Sequence, residues 1–288
     1  MIDYVYKDLC NDILKNGSWI NNPRTDKRVL TKINYDFEYD ASNPPILTTR
    51  KIYWKSAIAE ILGHIRGYTN AKEYEALGCK VWLKNANENE EWLKNHNRKH
   101  DGDMGLVYGA VARNFPVVDP PYESNETVDL IELVYNDLKN GVDNRGEIIT
   151  FYHPGMFHLG CLRPCLYQYQ YSIINDTLYL NAFQRSCDVP IGLSFNMLQV
   201  YFMLVVMAKI TNLKPGKAYH KIINAHIYED QMPFLLQQLE RIPMICTPTF
   251  SIDEDVKTLE DLNTWVTPDN FKIDNYEHHG PIQYPFTV

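Results

Sequence analysis

Several absences narrow the chemistry of this 288-residue chain before any motif is considered. None of its six cysteines, Cys10, Cys79, Cys161, Cys165, Cys187 and Cys246, forms a zinc-type C-x-x-C pair, so no metal is expected. Their scatter does not suggest a disulfide framework either. MIDYVYKDLC carries no signal-peptide pattern, which makes a reducing cytoplasm the expected home. The longest apolar run, VYFMLVVMA at 200–208, stops at Lys209. It is too short to span a bilayer and reads as a buried core helix. Basic charge is also scarce: 28 Lys and Arg against 36 Asp and Glu leave a net charge of −8. An extended nucleic-acid surface is therefore not expected. A small anionic substrate remains possible, because a few converging arginines can dominate one cleft. No internal repeat or low-complexity linker interrupts the chain, which reads as a single domain over 1–288.

Hydrophobic content of 45% and charged content of 22% are those of a soluble globular protein. Twenty tyrosines and eleven phenylalanines suggest sheet faces or aromatic-lined pockets. Ile2, Val5, Tyr6, Leu9 and Ile13 repeat at helical spacing and stop at Gly17. NNPRTDKR at 21–28 is polar and turn-rich, and Trp54–Ile65 is a helix after a Pro-Pro turn. KNANENEEWLKNHNRKHDGD at 84–103 reads as a solvated polar excursion rather than core. ETVDLIELVYNDLKNG places Val128, Ile131, Val134, Tyr135 and Leu138 on one side of a second helix. EIITFYH is a strand, and YQYQYSI and TLYLNAF flank the turn pair Asn175-Asp176 as a hairpin. A hydrophobic helix over Leu193–Ile210, a strand at KAYHKIINAHIY and a helix near Phe234–Leu239 follow. Together these elements give an α+β fold, a mixed sheet backed by helices.

Cys165 lies in LRPCLYQYQY, at the mouth of an alternating strand. A free cysteine is most often a small buried hydrophobe, and becomes a nucleophile only beside positive charge. About twenty residues on, FQRSCDVPIGLSFN brings Arg185 and Ser186 to the end of the neighbouring strand. A guanidinium fork and a hydroxyl there can grip a phosphate, and the same cation favours a thiolate. Asn196 opens the hydrophobic helix, either as a simple cap or as an amide offered to a ligand. An amide both donates and accepts, which suits a pyrimidine edge.

PC-x4-Q at 164–170, QRSCD at 184–188 and GLSFN at 192–196 resemble the thymidylate synthase family in residues and spacing. PILTTRK, AIAEI, DMGLVYG, AHIY and a short hydrophobic C-terminus extend the likeness over almost the whole chain. The resemblance implies that deoxyuridine monophosphate (dUMP) is methylated at C5 with 5,10-methylenetetrahydrofolate as co-substrate. By motif match Cys165 is the nucleophile, while Arg185 and Ser186 hold the phosphate with Arg24 closing over it. The match also implies a homodimer in which Arg145 reaches the partner's site and the sheets pack at the interface. Glu60 then acts through water near the base carbonyl, Tyr108 in proton removal at C5, and Asn196 in reading the uracil edge. His226 and Tyr228 bond the ribose. Trp82, Asp188, Gly192 and the terminal Val288 belong to the folate side.

Four departures accompany this likeness. Leu166 replaces a histidine after the cysteine and cannot bridge water to the base carbonyl, so part of that network must be rebuilt or lost. Gly146 replaces a second arginine, a loss of roughly 1.5–3 kcal/mol in phosphate binding unless Arg28 or Lys27 compensates. TDKRV replaces a glycine- and threonine-rich turn, and Asn85 a second tryptophan. These departures keep two alternatives open. One is a pyrimidine hydroxymethyltransferase of the same fold, in which water ends the reaction; Asn196 favours uracil over cytosine. The other is an inactive nucleotide-binding relative. The shortened motifs and Asn-rich composition lean towards a phage source.

Overall fold

The computed structural model describes residues 1–23, 25–118 and 126–286. Helix α1 (Ile2–Asn16) buries Tyr6, Leu9 and Ile13 of the expected stripe together with Cys10, leaves Val5 exposed, and ends at Gly17. Strands β1 (Ser18–Asn22) and β2 (Lys27–Asp40) then form a hairpin around the polar turn. The sequence reading recognised that turn but not its strands. The outer half of β2 alternates charged and apolar residues, as a strand with one wet face does.

Helix α2 (Trp54–Ile65) has the predicted bounds. Short helices α3 (Ala71–Ala76), α4 (Trp82–Asn87), α5 (Glu90–Leu93) and α6 (Gly109–Arg113) follow. The polar excursion over 84–103 needs correcting here. Trp92 is 2% exposed and donates its indole N–H to the carbonyl of Asp103 at 2.6 Å. With Ala86, Trp82, Tyr74, Met104 and Val107 it forms a second small core. The charged residues coat that core, and only their number makes the segment look solvated.

Strands β3 (Phe115–Pro116) and β4 (Thr127–Val128) pair ahead of helix α7 (Leu130–Lys139). Asp129 caps α7 by accepting from the backbone of Ile131 and Glu132, so Val128 belongs to β4 and not to the helix face. Strand β5 (Ile148–Thr150) pairs with β6 (Leu166–Ile174), which turns through Asn175-Asp176 into β7 (Thr177–Gln184). Both turn residues have positive φ, 49° and 60°, as a tight two-residue hairpin requires. The bridge β8 (Cys187–Asp188) leads through a π-helical turn, Val189–Leu193, into α8 (Ser194–Thr211). Strand β9 (Lys214–Tyr228) and helix α9 (Met232–Glu240) come next. Strands β10 (Thr249–Ile252) and β11 (Phe271–Asp274) pair on either side of α10 (Leu259–Asn263).

The main sheet runs β1-β2-β9-β7-β6-β5, mixed because β9 is parallel to β7 and antiparallel to β2. The stretch Val189–Thr211 is apolar enough for a membrane span by length and composition, but 78% of its apolar window is buried. It is the central core helix of the fold. The inner sheet face presents Tyr169, Tyr171, Leu180, Ala182, Ala218 and Ile222 to the core. The other face carries Gln168, Gln170, Tyr179, Phe183, Tyr219 and Ile223, all half-buried or exposed.

Candidate active site

Sheet register decides which sequence motifs meet. Leu166 at the start of β6 lies opposite Gln184 at the end of β7, so Cys165 and Arg185 are neighbours across the mouth of the hairpin. Strand β9 ends on the same side, with Cys187 opposite Ala225 and Asp188 opposite His226. One end of the sheet therefore collects Cys165, Arg185, Ser186, Asp188, His226 and Tyr228.

Around the sulfur, Arg185 donates Nε to the carbonyl of Pro164 at 2.9 Å and Nη2 to that of Arg163 at 2.8 Å. The same Nη2 lies 3.8 Å from Cys165 Sγ. The guanidinium is thus held by backbone carbonyls beside a partly exposed thiol, a setting that suits a thiolate nucleophile. Nη1 makes no hydrogen bond among the described residues and remains for a ligand. Four other cysteines, Cys10, Cys79, Cys161 and Cys187, are buried. Burial pushes the Cys10, Cys79 and Cys161 thiols up to about 12 and raises Cys187 well above its ordinary value, so they are inert.

Tyr108 reaches the site from the loop before α6, where its φ is +45°. Its hydroxyl accepts the backbone N–H of Cys165 at 3.0 Å, and its buried phenol is raised well above the usual tyrosine value. Gly109 makes this approach possible: a Cβ there would lie 1.6 Å from the carbonyl oxygen of His64. The His64 ring stacks on Tyr108, and Trp82 meets the same phenol edge-on at 5.6 Å.

Glu60 projects from α2, with burial pushing its carboxyl up to about 7. Gln199 of α8 donates to it at 2.7 Å, and the nearby Trp82 indole also favours its charged form. Asn196 is the third residue of α8 and does not cap it. Its amide donates to Gln199 Oε1 at 3.1 Å and accepts from Gln184 Nε2 at 2.9 Å. Gly192 lies beside it, where an added Cβ would be in ordinary contact with Asn196 Oδ1 at 3.6 Å. Asp188 accepts from Gln231 at 2.9 Å, and burial raises its carboxyl to about 6. His226 bonds Asn224 at 3.0 Å, and the hydroxyl of Tyr228 accepts from Asn22 at 3.2 Å.

One described site residue, Arg145, does not join this cluster within one chain. Arg145 is exposed, in a turn whose carbonyl meets Gln170, five residues along β6 from Cys165. At about 3.3 Å per residue that separation is roughly 16 Å. Trp82 does join, but at 3% exposure it backs Tyr108 and offers little surface for stacking. Arg24 and Val288 lie outside the described residues. The two cations proposed to compensate for Gly146 are engaged elsewhere. Arg28 pairs with Glu229 and covers the Trp19 ring, and Lys27 pairs with Asp230. Gly146 itself completes a turn with Asn144, whose Oδ1 accepts its N–H at 2.7 Å; a Cβ there would meet that oxygen at 2.6 Å.

Gln184, Gln199, Gln231 and Arg50 received no role from the sequence. The signal for Gln199 was present, as an uncharged polar residue inside the apolar run FNMLQVYFMLVVMA. Arg50, buried, donates to the Pro190 carbonyl at 2.6 Å and the Ser194 hydroxyl at 2.9 Å, and lies over the Tyr284 ring. It fixes the turn that carries Gly192.

A partly exposed thiol beside an anchored guanidinium, with a clamped amide on the neighbouring helix, is the arrangement an enzyme of covalent nucleotide chemistry needs. The family model described as thymidylate synthase matches residues 4–288. The thymidylate synthase of Shewanella frigidimarina is 57% identical over 98% of this chain and 99% of its own length. That of a Marinomonas species is 56% identical, and that of Vibrio vulnificus 54%, each over 98% of this chain and 99% of the relative. The chain belongs to the thymidylate synthase family.

Proposed function

We propose that the protein is a thymidylate synthase that converts dUMP to dTMP through a covalent adduct between Cys165 and C6 of the base. The observation that carries this reading is the Arg185 guanidinium held 3.8 Å from the Cys165 sulfur. Attack of the sulfur at C6 moves an electron pair towards C5 and the O4 carbonyl, dividing a difficult substitution into feasible steps. Asn196 and the neighbouring Glu60 stand where charge on O4 is met. With its carboxyl near 7, Glu60 exchanges a proton readily at neutral pH. Tyr108 keeps its proton and therefore relays one at C5 rather than removing it unaided.

Arg185 and Ser186 hold the phosphate, with Arg24 closing over it, and His226 and Tyr228 hold the ribose. On the folate side, Asp188 is a partly buried carboxyl with one carboxylate oxygen on Gln231 and the other on the Ile191 N–H, which suits a ring of N–H donors. Methylenetetrahydrofolate is the co-substrate and supplies the one-carbon unit and the hydride. Asp188, Gly192, Trp82 and Val288 belong to its side of the site.

The sheet face bearing Tyr179, Phe183, Tyr219 and Ile223 is the homodimer interface, across which Arg145 serves the partner's site. A two-fold interface of this kind is self-complementary, so both sites gain the same arginine. The purified protein with dUMP and methylenetetrahydrofolate should yield dihydrofolate and dTMP, and Cys165→Ala should yield neither. Hydroxymethylated nucleotide with tetrahydrofolate would instead identify a hydroxymethyltransferase.

A further inference from the structure

We propose that Gln199 is a positioning residue for pyrimidine selection: it holds the Asn196 amide in the one direction that pairs with uracil and rejects cytosine. The inference rests on Asn196 reading the base edge, as set out above. Gln199 is 3% exposed, on the face of α8 that meets α2. Its Nε2 lies 2.7 Å from Glu60 Oε2 and 3.4 Å from the carbonyl of Ala57. The Ala57 carbonyl only accepts, and Glu60 accepts whenever it is ionised, so the nitrogen faces them, and reversing the amide would set its oxygen against the carbonyl and the carboxylate. Oε1 is therefore turned to Asn196, which must offer its Nδ2 at 3.1 Å.

The other side of Asn196 is fixed independently. Gln184 Nε2 bonds the carbonyl of Ser186 at 3.0 Å, so this nitrogen too faces an acceptor and donates to Asn196 Oδ1 at 2.9 Å. Gln184 Oε1 accepts in turn from His220 Nε2 at 2.8 Å, and His220 Nδ1 meets the Tyr39 hydroxyl at 3.0 Å. Asn196 thus keeps one N–H and one oxygen lone pair for a ligand, in a fixed order. Uracil offers a carbonyl at O4 and an N–H at N3, which match that order. Cytosine offers an amine and a bare nitrogen, which need the reverse.

Turning the Asn196 amide to suit cytosine would break both clamps and leave like groups facing each other. In most of the family, by the resemblance above, a histidine and water serve this region; here Leu166 cannot, and it is buried. Gln199 spans the gap from Glu60 to Asn196 directly.

The test is calorimetric binding of dUMP and dCMP to the full-length protein, its Gln199→Met variant and its Gln199→Glu variant. Wild-type protein should favour dUMP; equal binding of the two would end the reading of Asn196 itself. Methionine roughly keeps the volume but removes all three hydrogen bonds. The dUMP preference should then contract at least about tenfold, because cytosine no longer has to break the Gln199 clamp. If both nucleotides weaken alike and the ratio holds, Gln199 is merely structural and the proposal is overturned.

Gln199→Glu keeps an acceptor facing Asn196 and must share a proton with Glu60. Its selectivity should match wild type at about pH 6 and fall at about pH 8, where the two carboxylates repel. Selectivity unchanged at both pH values would also overturn the proposal, and this variant decides the matter if the methionine variant does not fold.

Discussion

The imidazole of His64 lies flat against the phenol ring of Tyr108, with centroids 4.3 Å apart and planes within 3°. Among the described residues nothing bonds its Nε2, and burial lowers its pKa to about 3. It is a neutral aromatic slab behind a residue of the site. A flat support suits Tyr108, whose backbone has positive φ and whose hydroxyl must stay on the Cys165 N–H.

Acid sensitivity follows from this burial. His64 and His220 both have folded pKa values near 3, below the ordinary 6.5. The unfolded chain binds their protons first, so their contribution is present above pH 6.5 and is lost as pH falls towards 3. Urea unfolding of His64→Leu should show a shallower loss of stability between about pH 6.5 and about pH 4.5 than wild type. An unchanged slope would show that His64 is not buried neutral.

Glu60 runs the other way. Its folded pKa of about 7 lies above the ordinary 4.5, so the folded state holds this proton longer than the unfolded one. Its contribution is complete below the unfolded value and is lost as pH rises through the folded value. The Tm of Glu60→Gln relative to wild type should therefore climb between about pH 5 and about pH 8. The same variant should lose the limb near neutral pH in the kcat/KM profile for dUMP.

Arg185→Lys keeps the charge and loses the fork. Lysine cannot bond the carbonyls of Arg163 and Pro164 while also reaching the sulfur. Weaker phosphate binding by roughly 10- to 100-fold in KM is expected, the equivalent of one charge-assisted hydrogen bond. Alkylation of Cys165 by iodoacetamide at neutral pH should slow as well. Unchanged alkylation would remove the arginine from thiol activation.

Much of this was legible in the sequence, for physical reasons. Period-2 alternation on either side of Asn175-Asp176 fixed the hairpin, and with it the meeting of Cys165 and Arg185. Helix α1, with its apolar stripe, and α2, after its Pro-Pro turn, declared themselves. Strands β1 and β2 did not, because their wet face carries Lys, Asp and Glu among the apolar residues, and Glu38 and Lys217 pair across it. Gln199 stood out as a polar residue in an apolar run, but its partners were hidden, since Ala57 and Glu60 are about 140 residues away and nothing local links them. Charge density concealed the small core inside 84–103 in the same way.

That core makes a strong prediction of its own. Trp92 fills the centre of its cluster and satisfies its one polar atom on Asp103. Trp92→Ala should cost about 3–5 kcal/mol in chemical unfolding, as deleting a buried aromatic does. A cost below about 1 kcal/mol would return the segment to the solvated excursion its composition suggests.

Arg145 tests the shared site. It is too far from Cys165 in its own chain to serve that thiol, and its turn is exposed beside the outer sheet face. Arg145→Ala and Cys165→Ala homodimers should both be nearly inactive, one lacking the arginine at each site and the other the sulfur. Mixing the two after mild unfolding and refolding yields half mixed dimers. In each mixed dimer one site combines an intact Cys165 with an intact Arg145 from across the interface, and the other site has neither. About a quarter of wild-type activity should return, the share set by two-fold symmetry. If Arg145 acted within its own chain, the mixture would keep only the activity of its parents.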